Sequence, residues 1–223
     1  DYFLESGPWD LAGTYDLIHR LQPDALIGNN HHVSPLKGED FQMYEQDLPG
    51  ENSAGFNTGS VGKLPLESCL TINKNWGYAP DDHEHKSTSD LIRFLIECIG
   101  RDSNLLLNVG PTPMGNIQPE HSARMRGIGT WVKAHAESIY GTRSGPLPKQ
   151  DWGYTVHNPE TGKIYLHILS WPGDELSLDI GDKSSARLLA DGKEMPVRQE
   201  AGRFILTLPD KAPDGVDTVV VLD

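Results

Sequence analysis

Through the first 140 residues the apolar positions change period several times. Leu11, Tyr15, Ile18 and Leu21 recur at helical spacing, and Pro23 closes that stretch. Residues 24–30 then read as a short buried strand that ends in Asn29-Asn30. Residues 31–66 scatter Gly, Pro, Asn and Asp with little periodicity and read as a long loop, of the kind that is usually functional or mobile. Leu70-Thr71-Ile72 reads as another strand. Ser87 or Ser89 can cap a helix whose apolar stripe is Leu91, Ile92, Leu95, Ile96 and Ile99, with Gly100 as its stop. In Asn104-Leu105-Leu106-Leu107-Asn108-Val109-Gly110-Pro111, three leucines without alternation predict a strand buried on both faces. Pro119-Glu120 opens a helix expected to run to about residue 140, with Met125, Ile128, Trp131, Val132 and Ile139 inward. This order is an α/β pattern suited to a parallel sheet or barrel, in which active sites gather at the carboxyl ends of the strands.

After Gly141 the pattern changes. Gly145-Pro146-Leu147-Pro148 reads as a linker, followed by short alternating runs at 164–169, 176–180, 186–189, 204–208 and 218–222. Five or six such strands separated by turns indicate a small antiparallel β-sandwich. The expected organisation is an α/β domain over residues 1–142 and a β-sandwich over 143–223.

The totals narrow the function. Nineteen basic against thirty-two acidic residues give a net charge of −13 over 223 residues, which argues against nucleic acid and anionic membranes as partners. No stretch approaches the ~20 apolar residues of a membrane span, so no membrane insertion is expected. Cys69 and Cys98 make no disulfide framework and are expected as buried free thiols. The chain opens on Asp1-Tyr2-Phe3 without methionine or signal peptide, so either a leader has been removed or the sequence is a piece of something longer. No P-loop, dinucleotide glycine pattern, nucleophile elbow or HExxH pattern occurs, and no cofactor is expected.

Glu39-Asp40-Phe41-Gln42-Met43-Tyr44-Glu45-Gln46-Asp47 crowds four acids into nine positions. Paired carboxyls are what glycoside hydrolysis uses, one to protonate the leaving oxygen and one to attack or activate water. Asn29-Asn30-His31-His32 follows a strand end. Side chains at i and i+1 diverge, so His31 and His32 do not make a metal pair, no zinc-type spacing supplies further ligands, and hydrogen bonding to a polyhydroxy ligand is the better use. His83 and His85 are expected to be solvated. Trp76, on a polar turn, offers a ring face on which a sugar could stack.

Several segments together resemble the family-29 glycoside hydrolases, the α-L-fucosidases: Gly7-Pro8-Trp9, Tyr15-Asp16-Leu17-Ile18 with Leu21 to Ile27, Glu67-Ser68-Cys69-Leu70-Thr71-Ile72-Asn73, Asn75-Trp76-Gly77-Tyr78, and Asn104 to Pro111. The resemblance covers roughly residues 7 to 140. It implies a partial (β/α) TIM-type barrel followed by a small all-β antiparallel sandwich, and hydrolysis of terminal α-L-fucosyl linkages of a glycan with retention, without cofactor or metal. Glu45 looks like the family's acid/base, while Trp76, His31 and His32 fall where members contact sugar. The nucleophile is an aspartate in the family; here that position holds Ser6, or Glu5 after a one-residue shift. A serine hydroxyl cannot replace an ionised carboxylate, and Glu5 is one methylene longer than aspartate. The family barrel also begins well before this sequence, so the sheet is expected to be completed by self-association as a homo-oligomer, by another chain, or by a longer polypeptide. The alternative implied by Ser6 and the missing strands is a relative that binds carbohydrate without turnover. An extracytoplasmic location (periplasmic, secreted or lysosomal) follows from the family.

Overall fold

The computed structural model describes residues 9–223 except Phe56 and Asp182. Glu5 and Ser6, and with them the nucleophile expectation, lie outside the described residues. The first part contains helix α1 (Leu11–Leu21) and strands β1 (Gly28–Asn29), β2 (Phe41–Glu45) and β3 (Leu66–Thr71). Helix α2 (Thr88–Ile99), strand β4 (Ser103–Asn108), helix α3 (Pro119–Ala134) and the one-turn helix α4 (Ala136–Ile139) follow. All pairings within β1-β2-β3-β4 are parallel, and each strand lies beside its neighbour in sequence.

Two expectations are corrected here. Strand β2 lies inside the stretch read as a loop. Its alternation is inverted, with Gln42 and Tyr44 buried while Phe41, Met43 and Glu45 are only partly covered. Gln42 can be buried because its amide is satisfied at both ends, donating to the Ser60 carbonyl (2.9 Å) and accepting from Gly62 N (2.8 Å). The second correction concerns β4, which is covered on one face only. Leu105 and Leu107 pack with Leu70, Ile72 and Leu91 under the helices, whereas Leu106 is 44% exposed. The register puts Glu45, Cys69 and Leu106 side by side in one row across the opposite face.

Helix α2 is fixed at its start by a reciprocal capping box between Ser87 and Asp90; it buries Leu91 against Leu70 and Ile72 at the end of β3, while Ile92 and Ile96 face Trp131 and Tyr154. The helix expected to reach residue 140 stops at Ala134, and α4 follows His135; Met125 and Tyr140 are exposed.

Beyond Gly141 come β5 (Arg143–Ser144), β6 (Gly153–His157), β7 (Ile164–Ile168), β8 (Glu175–Leu178), β9 (Ala186–Leu188), β10 (Glu194–Met195), β11 (Val197–Glu200), β12 (Arg203–Thr207) and β13 (Thr218–Leu222). They form an antiparallel six-stranded sheet, β10-β9-β13-β7-β6-β5, and a three-stranded sheet, β11-β12-β8. Leu166, Leu178, Phe204, Leu206 and Val220 fill the layer between them. The two parts of the chain share packing: Tyr154 of β6 joins Ile92, Ile96 and Trp131 in one cluster.

Candidate active site

The carboxyl ends of the parallel strands collect the residues singled out in the sequence. Asn29 ends β1 and leads into Asn30-His31-His32; Glu45 is the last residue of β2; Asn108 ends β4. The backbone turns sharply beside two of them, because His32 (φ +63°) and Gln46 (φ +58°) both lie in the left-handed region. Gln46 is tied to the end of β3, its N–H donating to the Cys69 carbonyl (2.8 Å) and its amide to Thr71 Oγ1 (3.2 Å). Glu45 is thereby held at a fixed angle to the sheet.

Glu45 and His32 come together. Asn30 Nδ2 donates to Glu45 Oε2 at 2.9 Å, and His32 Nε2 lies 3.8 Å from the same oxygen. The Glu45 side chain is 22% exposed, so it is accessible to a ligand yet partly screened from water. Among the described residues Oε1 accepts no hydrogen bond. His31 makes a different pairing: its Nε2 is 2.6 Å from Glu39 Oε1, and the Glu39 side chain is fully buried. Glu39 also accepts from Tyr15 Oη (3.0 Å) and Leu36 N (2.7 Å), so it ties helix α1 to the loop that carries His31.

The other two acids of the cluster are also engaged. Asp40 accepts from Ile27 N (2.7 Å) and meets His19 Nε2 (3.0 Å), and these contacts hold its carboxyl below the usual range. Asp47 is buried and takes hydrogen bonds from Ser53 N, Ser53 Oγ, Ala54 N and Asn57 Nδ2. Burial alone would raise its pKa, but the hydrogen bonds outweigh it and hold the carboxyl below the usual value. Asn57 gave no signal in the sequence, and Glu39 and Asp47 stood out only as members of the acidic run, since their partners lie between 3 and 25 positions away along an irregular segment. Asn30 was readable beside the two histidines.

Trp76 sits on the segment after β3 and is 39% exposed. Asn108 Nδ2 donates to its carbonyl at 2.7 Å, anchoring that turn at the end of β4. The two loops touch at glycines: a Cβ on Gly110 would lie 2.6 Å from the Gly77 carbonyl carbon, so only glycine allows this approach. His83 is exposed as expected; His85 is not fully solvated, its ring lying edge-on to that of His121 with centroids 5.3 Å apart.

Glu67 lies on the same face of the sheet as Glu45, and burial pushes its carboxyl above the usual range. Cys69, the row neighbour of Glu45, is buried, and burial together with the Glu45 and Glu67 carboxylates pushes its thiol up to about 11. Burial pushes Cys98 up to about 12. Both cysteines are free. Among the described residues no three His, Cys, Asp or Glu side chains converge as a metal set, and no helix is long and apolar enough to cross a membrane.

The family described as Alpha-L-fucosidase matches residues 5–137, and the chain belongs to that family. It is 32% identical over 198 residues to plasma alpha-L-fucosidase of Homo sapiens, covering 73% of this chain and 42% of the relative. It is likewise 32% identical over 136 residues to an alpha-L-fucosidase of Branchiostoma floridae, covering 56% of this chain and 29% of the relative. Alpha-L-fucosidase isoenzyme 1 from Paenibacillus thiaminolyticus superposes with a TM-score of 0.80 at 31% identity, covering 96% of this chain and 53% of that one. An alpha-L-fucosidase from Bacteroides thetaiotaomicron shares the fold at a TM-score of 0.78 and 24% identity, covering 95% and 51%. The chain thus spans less than half the length of these curated relatives and about half that of the solved structures.

Proposed function

We propose that this chain belongs to a retaining glycoside hydrolase that cleaves terminal α-L-fucosyl linkages of glycans. The single observation that carries the reading is Glu45: a partly exposed carboxyl at the carboxyl end of a parallel strand, with Asn30 and His32 gathered on one oxygen and the other accepting no hydrogen bond among the described residues. A general acid needs this combination of access and orientation. Glu45 would donate its proton to the leaving oxygen in the first step and take one from water in the second. Glu5 is the nucleophile candidate, with Ser6 beside it unable to serve. Trp76 would lie under the apolar face of the sugar ring, and His31 and His32 would contact its hydroxyls. The parallel sheet is read as the second half of a (β/α) barrel, residues 1–142, with a sandwich unit over 143–223. Relatives named as plasma enzymes favour an extracytoplasmic setting.

Release of 4-nitrophenol from its α-L-fucoside tests the reading. Glu45→Gln is expected to lower kcat at least about a hundredfold, the usual worth of a general acid. Equal rates for Glu45→Gln and the parent chain would overturn the assignment. Glu5→Gln abolishing the remaining turnover, with Ser6→Ala unchanged, would assign the nucleophile.

A further inference from the structure

The histidine facing Glu45 has its tautomer dictated by a buried amide. Asn57 Nδ2 donates to Asp47 Oδ2 at 2.7 Å and to the Glu45 carbonyl at 2.9 Å. Both partners are pure acceptors, so the amide cannot be turned over, and its Oδ1 faces His32 Nδ1 at 3.2 Å. An amide oxygen only accepts; the ring hydrogen of neutral His32 therefore sits on Nδ1. Its Nε2 lone pair is then directed toward Glu45 Oε2, 3.8 Å away, a gap that a small side-chain rotation closes when a ligand tightens the site.

The backbone enforces the same orientation. The His32 carbonyl accepts from Thr58 N (3.1 Å), Gly59 N (3.0 Å) and Thr58 Oγ1 (3.2 Å) while its φ stays in the left-handed region. Gly59 permits this approach, for a Cβ there would lie 2.5 Å from the Val33 carbonyl carbon. Strained conformations of this kind persist where surrounding contacts over-determine them. His31, one residue earlier, is set the opposite way. Its Nδ1 accepts from Val33 N at 3.4 Å and its Nε2 carries the hydrogen toward Glu39.

We propose that His32, locked by Asn57 as the Nδ1–H tautomer, is a positioning residue for Glu45. Neutral Nε2 accepts the O–H of the acid form and so holds the proton on Oε2, from which it turns to the leaving oxygen as the glycosidic bond breaks; His32 gains and loses no proton over the cycle. This role rests on the reading of Glu45 as acid/base.

Two measurements on the intact chain test it. Long-range 1H–15N spectra of 15N-histidine protein at pH 8.5, with signals assigned from His31→Gln and His32→Gln, should find His32 as Nδ1–H and His31 as Nε2–H. His32 found as Nε2–H overturns the proposal whether or not the chain is active. In hydrolysis, His32→Ala should lose at least about tenfold more kcat/KM on methyl α-L-fucoside, whose leaving group needs the proton, than on the 2,4-dinitrophenyl fucoside, which does not. Equal losses on the two substrates overturn the positioning role and leave the hydrolase reading standing. Absence of turnover by the parent chain on both substrates removes that reading, and the role of His32 with it.

Discussion

Glu39 has no exposed side-chain surface, and three donors from three segments converge on it: Tyr15, His31 and Leu36 N. Its removal leaves buried donors without an acceptor, each a cost of about 1–3 kcal/mol. Glu39→Ala should therefore lower the urea-derived stability by about 3 kcal/mol. The same contact marks Tyr15, whose phenol is pushed up to about 12 by burial and then by the Glu39 hydrogen bond. A folded-state value above the ordinary 10 contributes stability that is complete below pH 10 and lost as pH rises toward 12. Guanidinium unfolding at pH 9 and pH 11 should register that loss in the parent and less of it in Tyr15→Phe. Some of this site was legible because Glu45 and the His31-His32 pair are polar residues crowded at strand ends. Asn57 was not, and Glu39 and Asp47 were legible only as members of an acidic run, because their partners meet them across an irregular segment with no period to read. Trp76 was legible as an aromatic on a polar turn, yet its anchor, Asn108, is 32 positions away.

At the scale of elements, periodic segments declared themselves and short or inverted ones did not. Helix α2 was readable from both its stripe and its cap, and Ser87 turns out to be the capping residue. Ser87→Ala removes the Ser87 Oγ half of the capping box, leaving the backbone N–H on Asp90, and should cost about 1 kcal/mol in thermal or chemical unfolding. Strand β2 was hidden because the side chains it buries are Gln42 and Tyr44, so the apolar signal points to the wrong face. Strand β4 was found, but its run of leucines overstated its burial: Leu106 belongs to a face that the helices do not cover. In the sandwich the apolar runs located β7, β8, β9, β12 and β13, whereas the two-residue strands β5 and β10 and the polar β11 left no pattern. Strand β6 was missed although every residue before His157 is buried, because five residues with one valine and one tyrosine resemble a loop in composition.

At the scale of the molecule, the α/β part and the sandwich are bound together by Tyr154, which packs on Ile92, Ile96 and Trp131. The contact is close: a Cβ on Gly100 would lie 2.3 Å from the Tyr154 ring. The Arg93 guanidinium adds a hydrogen bond to the Gly215 carbonyl at 2.9 Å. Buried His167 and Asp217 meet at 2.6 Å beneath α4. One calorimetric transition is therefore expected, and Tyr154→Ala should lower it for both parts at once, by an amount equivalent to about 3–5 kcal/mol. Two separated transitions would show the parts to be independent. Acid should weaken the whole molecule: Asp40, Asp47 and Asp82 are held below the ordinary 3.8, so their contribution is present above that pH and fades as pH falls further. Thermal midpoints at pH 6 and pH 3 measure it. The left-handed backbone positions, finally, point to an engineering choice. His32, Gln46, Asp102 and Ala201 all carry positive φ, a conformation that costs a side chain with a Cβ roughly 1–2 kcal/mol. Ala201 precedes Gly202 in a turn of the three-stranded sheet, far along the chain from Glu45, and glycine there should raise the melting point at no cost to turnover. Glycine at His32 would relieve the same strain and delete the ring that faces Glu45, so under the proposed function a screen for heat resistance alone would favour a variant with diminished chemistry.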